Sequence, residues 1–96
     1  MPAYVVAEIE VTDAAEFERY RPAAATSIAR FGGRYVVRGG AAELLEGSPA
    51  PKRVVILEFP DIATARRWYH SEEYQAALKI RLAASNGRLF LVEGAG

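Results

Sequence analysis

From Tyr4 to Val11, Val5, Ala7, Ile9 and Val11 alternate with Tyr4, Val6, Glu8 and Glu10. That period of two predicts a strand. The period then changes. Phe17, Tyr20, Ala24, Ile28 and Phe31 recur at helical spacing, with Asp13 and Glu16 placed as a reciprocal capping box ahead of them. Pro22 inside this run predicts a kink or a second helical start, and Gly32 a C-cap. Arg34–Arg38 reads as a strand with Tyr35 and Val37 on one face, ending in a bulge or bend at Gly39-Gly40. Residues 43–46 extend it as a short strand before the proline-containing loop 47–51. Arg53–Phe59, almost wholly β-branched and apolar, predicts the next strand, which Pro60 stops. Asp61 caps a helix carrying Ile62, Ala65, Trp68 and Tyr69. Ser71 re-caps it, and Tyr74, Ala77, Leu78 and Leu82 then share a stripe up to about Ser85. Asn86-Gly87 ends the helix and Arg88–Glu93 is the last strand. The order βαββαβ is the ferredoxin-like α+β pattern, a four-stranded antiparallel sheet with two helices on one face. No repeat or linker divides it, so residues 1–96 are expected to form one domain.

Strand parity assigns the faces. One would carry Val5, Ala7, Ile9, Tyr35, Val37, Val55, Leu57, Phe59, Phe90 and Val92 beneath the helices. The other would carry Tyr4, Val6, Val36, Val54, Ile56, Leu89 and Leu91, with Glu8, Glu10, Glu58, Glu93, Arg34 and Arg38. A sheet face open to water is mostly polar. This one is too apolar for that and too charged for a plain core. It predicts a two-fold homodimer stacked sheet on sheet, with Arg34, Arg38 and Glu58 as interface residues.

Composition removes whole function classes. There is no cysteine, which excludes zinc ribbons, iron–sulfur sites and thiol enzymes. One histidine leaves no room for a multi-histidine metal site, so neither metal nor cofactor is expected. Twelve basic residues against twelve acidic ones argue against nucleic acid as a partner. No apolar run reaches the length of a membrane span, and the start lacks a signal-peptide pattern, so the expected location is the cytoplasm. No glycine-rich stretch has the spacing of a phosphate loop. A domain this small buries only about two thirds of its unfolded surface, which again favours association.

The stretch from Trp68 through Tyr69, His70, Ser71, Glu72, Glu73, Tyr74 and Gln75 to Arg81 resembles a signature of the bacterial domain-of-unknown-function 1330 family. Tyr20, Gly32-Gly33-Arg34-Tyr35, Val37-Arg38-Gly39-Gly40, Glu46-Gly47, Arg53-Val54-Val55, Glu58-Phe59-Pro60 and Val92-Glu93-Gly94 match in the same order. The resemblance covers essentially the whole chain. It implies a ferredoxin-like protomer and a dimeric α+β barrel, but no established reaction. The wider superfamily includes cofactor-free monooxygenases, small isomerases, dehalogenating and decarboxylating enzymes, and haem-handling proteins. Fold does not carry function across such a group.

Candidate chemistry falls on arginine and tyrosine. Arg81 follows Tyr74 by seven residues on an apolar stripe. It reads either as a clamp for a small carboxylate or enolate, or as an ion pair with a sheet glutamate. Tyr20, Tyr69 and Tyr74 lie on helix faces turned to the sheet, as lining of a ligand pocket or as core filling. His70, the single imidazole, is the candidate general base, or else an exposed loop histidine. Ser71 reads as a cap, Arg66-Arg67 as a solvated face, and Trp68 as core or pocket wall. The expectation is a protein that binds a small anionic or aromatic metabolite between helices and sheet. The alternatives are a cofactor-independent enzyme of monooxygenase or isomerase type using His70, Tyr74 and Arg81, and a structural dimerisation module without ligand.

Overall fold

A computed structural model describes residues 1–95 of the chain. Its elements run β1 (Ala3–Val11), α1 (Ala14–Arg30), β2 (Arg34–Arg38), β3 (Arg53–Phe59), α2 (Ile62–His70), α3 (Glu72–Ala84) and β4 (Ser85–Glu93). The strands form one sheet in the order β2-β3-β1-β4, with every neighbouring pair antiparallel. This is the ferredoxin-like arrangement, with its second helix divided into α2 and α3 at Ser71. No helix among the described residues is long and apolar enough to cross a membrane.

The local chemistry explains most boundaries. Asp13 accepts the Glu16 amide at 3.2 Å and starts α1. The reciprocal half of the capping box does not form, because the Asp13 amide donates to the Ala84 carbonyl and the Glu16 carboxylate pairs with Arg19. α1 continues through Pro22 as a single helix, without a second start. Phe31, rather than Gly32, is its cap, and Gly32 follows with φ +74°. Ser71 closes α2 by donating to the Trp68 carbonyl (2.7 Å) and opens α3 by accepting from the Tyr74 amide (3.1 Å). On α3, Tyr74, Ala77, Leu78 and Arg81 are buried along the expected stripe, joined by Ala84, whereas Leu82, expected on it too, is exposed.

Three sheet expectations are corrected. Residues 43–46 form no strand: β2 already occupies the open edge of β3, and Leu45 is exposed. β4 begins at Ser85, so Asn86 and Gly87 are strand residues. The phase of β4 is inverted as well. Leu89 and Leu91 pair with Ala7 and Val5 on the helix side, and Phe90 and Val92 lie opposite Val6 and Tyr4 on the other face. Both phases of Leu89-Phe90-Leu91-Val92 are apolar, so alternation alone could not assign them; pairing with β1 does.

β2 carries a further change. Tyr35 pairs with Leu57, but Val37 pairs with Ile56, so Val36 is an extra residue in a β-bulge. Beyond it the alternation reverses. Val37 joins the second face and Arg38, opposite Val55, turns to the helix side. The corrected second face has Val6, Val54, Ile56, Phe90 and Val92 at its centre. Charged pairs stand at its two ends: Glu8–Arg88 (3.0 Å) with Glu10–Lys52 (3.3 Å), and Arg34–Glu58 (2.7 Å) with the Tyr4 hydroxyl donating to Glu58.

The helix side holds the core. Val5, Leu57 and Phe59 of the sheet meet Ala24 and Ile28 of α1, Trp68 of α2 and Tyr74 of α3. A smaller cluster of Ala7, Ile9, Phe17 and Ala84 fills the other end.

Candidate functional site

Between α1 and the sheet the packing is incomplete. A cavity of about 40 Å³ remains, walled by Val5, Ala7, Ile9, Phe17, Ile28, Val55, Leu57, Trp68 and Leu89, with Tyr20 and Tyr35. Arg21, Arg38 and Arg53 surround its mouth. Space of this size exceeds the roughly 10–15 Å³ that a cavity needs to admit a water.

Each mouth residue has a structural reason to be there. Arg21 is one turn beyond Phe17 on α1, and its guanidinium lies 5.5 Å from that ring. Arg53 opens β3 opposite Ile9, in the same phase as Val55 and Leu57, and reaches the Phe17 ring at 5.6 Å. Gly39 makes room for it: with φ +73°, a Cβ there would lie only 2.5 Å from Arg53 Nε. Arg38 is delivered by the bulge and stacks on Tyr35, 4.1 Å from its centroid. Such cation–π contacts hold guanidinium planes in place while leaving their N–H groups free.

The charge is unbalanced. Glu18 pairs with Arg21 at 3.0 Å, and among the described residues neither Arg38 nor Arg53 has a carboxylate partner. Burial, together with the repulsion of Arg21 and Arg38, weakens Arg53's hold on its proton. Burial raises the Tyr35 hydroxyl pKa, and Arg38, Arg53 and Arg21 oppose that rise.

Behind the cavity lies a second polar group. The Tyr20 and Tyr74 hydroxyls share a hydrogen bond of 2.8 Å. Burial, then the neighbouring Tyr74, pushes the Tyr20 pKa far above its ordinary value of 10.0. Arg81 is near enough to oppose that rise, is only 5% exposed, and has an Nε without a hydrogen-bond partner among the described residues.

The residues expected to bind ligand are therefore divided. Tyr20 lines the cavity, whereas Tyr74 and Arg81 stand behind it. Arg81 forms no ion pair with a sheet glutamate among the described residues, and it is not part of the cavity wall. Tyr69 and His70 are elsewhere, in an open groove against Leu89, Phe90 and Leu91, with their rings edge to face at 5.2 Å. Trp68 is core and cavity wall at once. Arg34 and Glu58 are paired on the second face, but Arg38, expected beside them, is at the mouth. Arg21, Arg53, Tyr35 and Phe17 were not singled out by the sequence. Arg53 could have been, since it shares the phase of Val55, Leu57 and Phe59.

Comparison with known proteins places this geometry. A protein of unknown function from Rhodopseudomonas palustris is similar in structure, with TM-score 0.80 and 21% identity over 99% of this chain and 83% of that one. SnoaB, a cofactor-independent oxygenase from Streptomyces nogalater, is similar with TM-score 0.69 and 22% identity over 99% and 94%. A dimeric ferredoxin-like protein of unknown function from Thermobifida fusca gives 0.65 and 15% over 98% and 92%. At such identities the likeness is one of fold. No curated protein matches the chain. The family described as Domain of unknown function (DUF1330) matches residues 2–95, and the chain belongs to it.

Proposed function

We propose that the protein is a homodimer that binds a small molecule in the cavity between α1 and the sheet. The observation that carries this reading is the unfilled space among Phe17, Tyr20, Tyr35 and Trp68. Protein interiors are close-packed, and a void forfeits contact energy along its whole lining. A module needed only for dimerisation has no use for one. The dimer is supported by the second face, where Phe90 and Val92 are 42% and 45% exposed between charged pairs, and by the dimeric relatives of the same fold.

A cofactor-independent enzyme is the second reading of the same cavity. It is favoured by the Tyr20–Tyr74 hydroxyl pair, which could pass a proton at the cavity wall, and by the likeness to SnoaB. His70, in the outer groove, is badly placed to serve as its base.

Incubation of the purified protein with a metabolite extract, followed by mass spectrometry of retained and altered compounds, separates these readings. Retention without change supports the binder, and conversion supports the enzyme. Retention that is indifferent to filling the cavity by Ala7→Leu would sink both. Sedimentation at micromolar concentration tests the dimer, which a monomer would disprove.

A further inference from the structure

We infer that Arg21, Arg38 and Arg53 form an anion site at the cavity mouth, and that the ligand is a small carboxylic acid whose compact apolar body enters the cavity. The inference rests on the binding reading above and names the ligand class for the same site.

Three observations converge. The first is placement. Two irregularities of the backbone, the bulge at Val36 and the positive φ of Gly39, bring Arg38 and Arg53 to one opening. Without the bulge Arg38 would face away from the helices, and a side chain at position 39 would collide with Arg53. The second is charge. Glu18 balances one of the three cations, which leaves an excess of positive charge over an apolar hole. A ligand carboxylate would meet planar N–H forks, a geometry guanidinium groups favour. The third is shape. The interior wall is hydrocarbon and aromatic ring, and a cavity of about 40 Å³, well below the roughly 150 Å³ that admits benzene, suits a body of two or three carbons rather than a ring. Acids with a larger body would have to move the mouth arginines outward.

The test uses matched probes. Propionate and propionamide have nearly the same shape and differ in charge. Trp68 is the sole tryptophan and lines the cavity, so its fluorescence reports occupancy, with amide NMR shifts at Ala7, Tyr35 and Val55 as a second readout. The acid is expected to bind about tenfold or more tightly than the amide. Added salt should narrow the gap, because the mouth is partly solvated. Arg38→Gln and Arg53→Gln should each erase most of it. Glu18→Gln, which releases Arg21, should widen it, a gain that a merely damaged fold cannot produce. Equal binding of acid and amide would overturn the anion site and leave the cavity reading standing. A preference that survives both arginine substitutions would overturn the assignment to these residues. Probes that shift neither Trp68 nor the cavity amides would overturn both readings. Circular dichroism of each variant confirms the fold.

Discussion

The Trp68 indole N–H donates to Ser27 Oγ at 3.0 Å, joining α2 to α1 inside the core, where both residues are at most 1% exposed. Ser27 in turn donates to the Ala24 carbonyl at 2.8 Å. The chain satisfies a buried donor with a hydroxyl that is itself anchored. Ser27→Ala leaves the indole N–H unpaired, and an orphaned buried donor costs about 1–3 kcal/mol. Denaturant unfolding should show a loss in that range with little change in the slope of the transition.

Tyr20 and Tyr74 form a coupled pair. Tyr20→Phe and Tyr74→Phe should each cost on the order of 1 kcal/mol, and the double variant less than their sum. Thermal unfolding of the four proteins gives the coupling directly. Additive losses would mean that the hydroxyls do not depend on one another.

Tyr20 also sets an alkaline limit. A folded tyrosine with a raised pKa keeps its proton where the unfolded chain has already lost it. Stability from this source is complete below the ordinary tyrosine value of 10.0 and declines as the pH climbs above it. Tyr35 and Tyr4 are shifted the same way, by burial and by Glu58 respectively. Unfolding midpoints should therefore fall between about pH 10 and pH 11, and fall less steeply in Tyr20→Phe.

Gly39→Ala should act in two ways. A left-handed backbone costs a non-glycine residue roughly 1–2 kcal/mol, and the new methyl group would strike Arg53 Nε from 2.5 Å. The expected result is modest destabilisation together with loss of carboxylate preference, read by calorimetry and by probe titration. Arg53→Gln should reproduce the second effect without the first.

Arg81 offers a test by replacement. A buried cation without an ionic partner gains little from its charge, and an apolar side chain of similar length can be neutral or stabilising by about 1–4 kcal/mol. Arg81→Met should unfold at an equal or higher denaturant concentration. A loss of more than about 2 kcal/mol would show instead that contacts of the guanidinium compensate its burial.

Much of this architecture can be read from the chain, and the failures have a common physical origin. The alternation in β1 and the capping residues Asp13, Asp61 and Ser71 are local signals, and they place their elements well. The phase of β4 is not local. Leu89-Phe90-Leu91-Val92 is apolar on both sides, so only its register against β1 decides which pair is buried. Leu82 shows the same limit on a helix, since by spacing both Arg81 and Leu82 fit the apolar stripe, and only the packing buries the arginine and exposes the leucine. The site suffered most. Its arginines come from α1, β2 and β3, and they meet only in three dimensions.

The extra residue at Val36 gives β2 two distinct duties. Arg34, before it, serves the outer sheet face with Glu58; Arg38, after it, serves the opening beneath the helices. Five residues of edge strand thus supply both the surface on which a second protomer would rest and the group that would hold a ligand. Removing one codon, that of Val36, would shift the strand back into step and turn Arg38 outward, moving a cation from recognition to assembly without changing the identity of any other side chain. In this fold a single insertion or deletion in an edge strand redirects a charged side chain from one sheet face to the other.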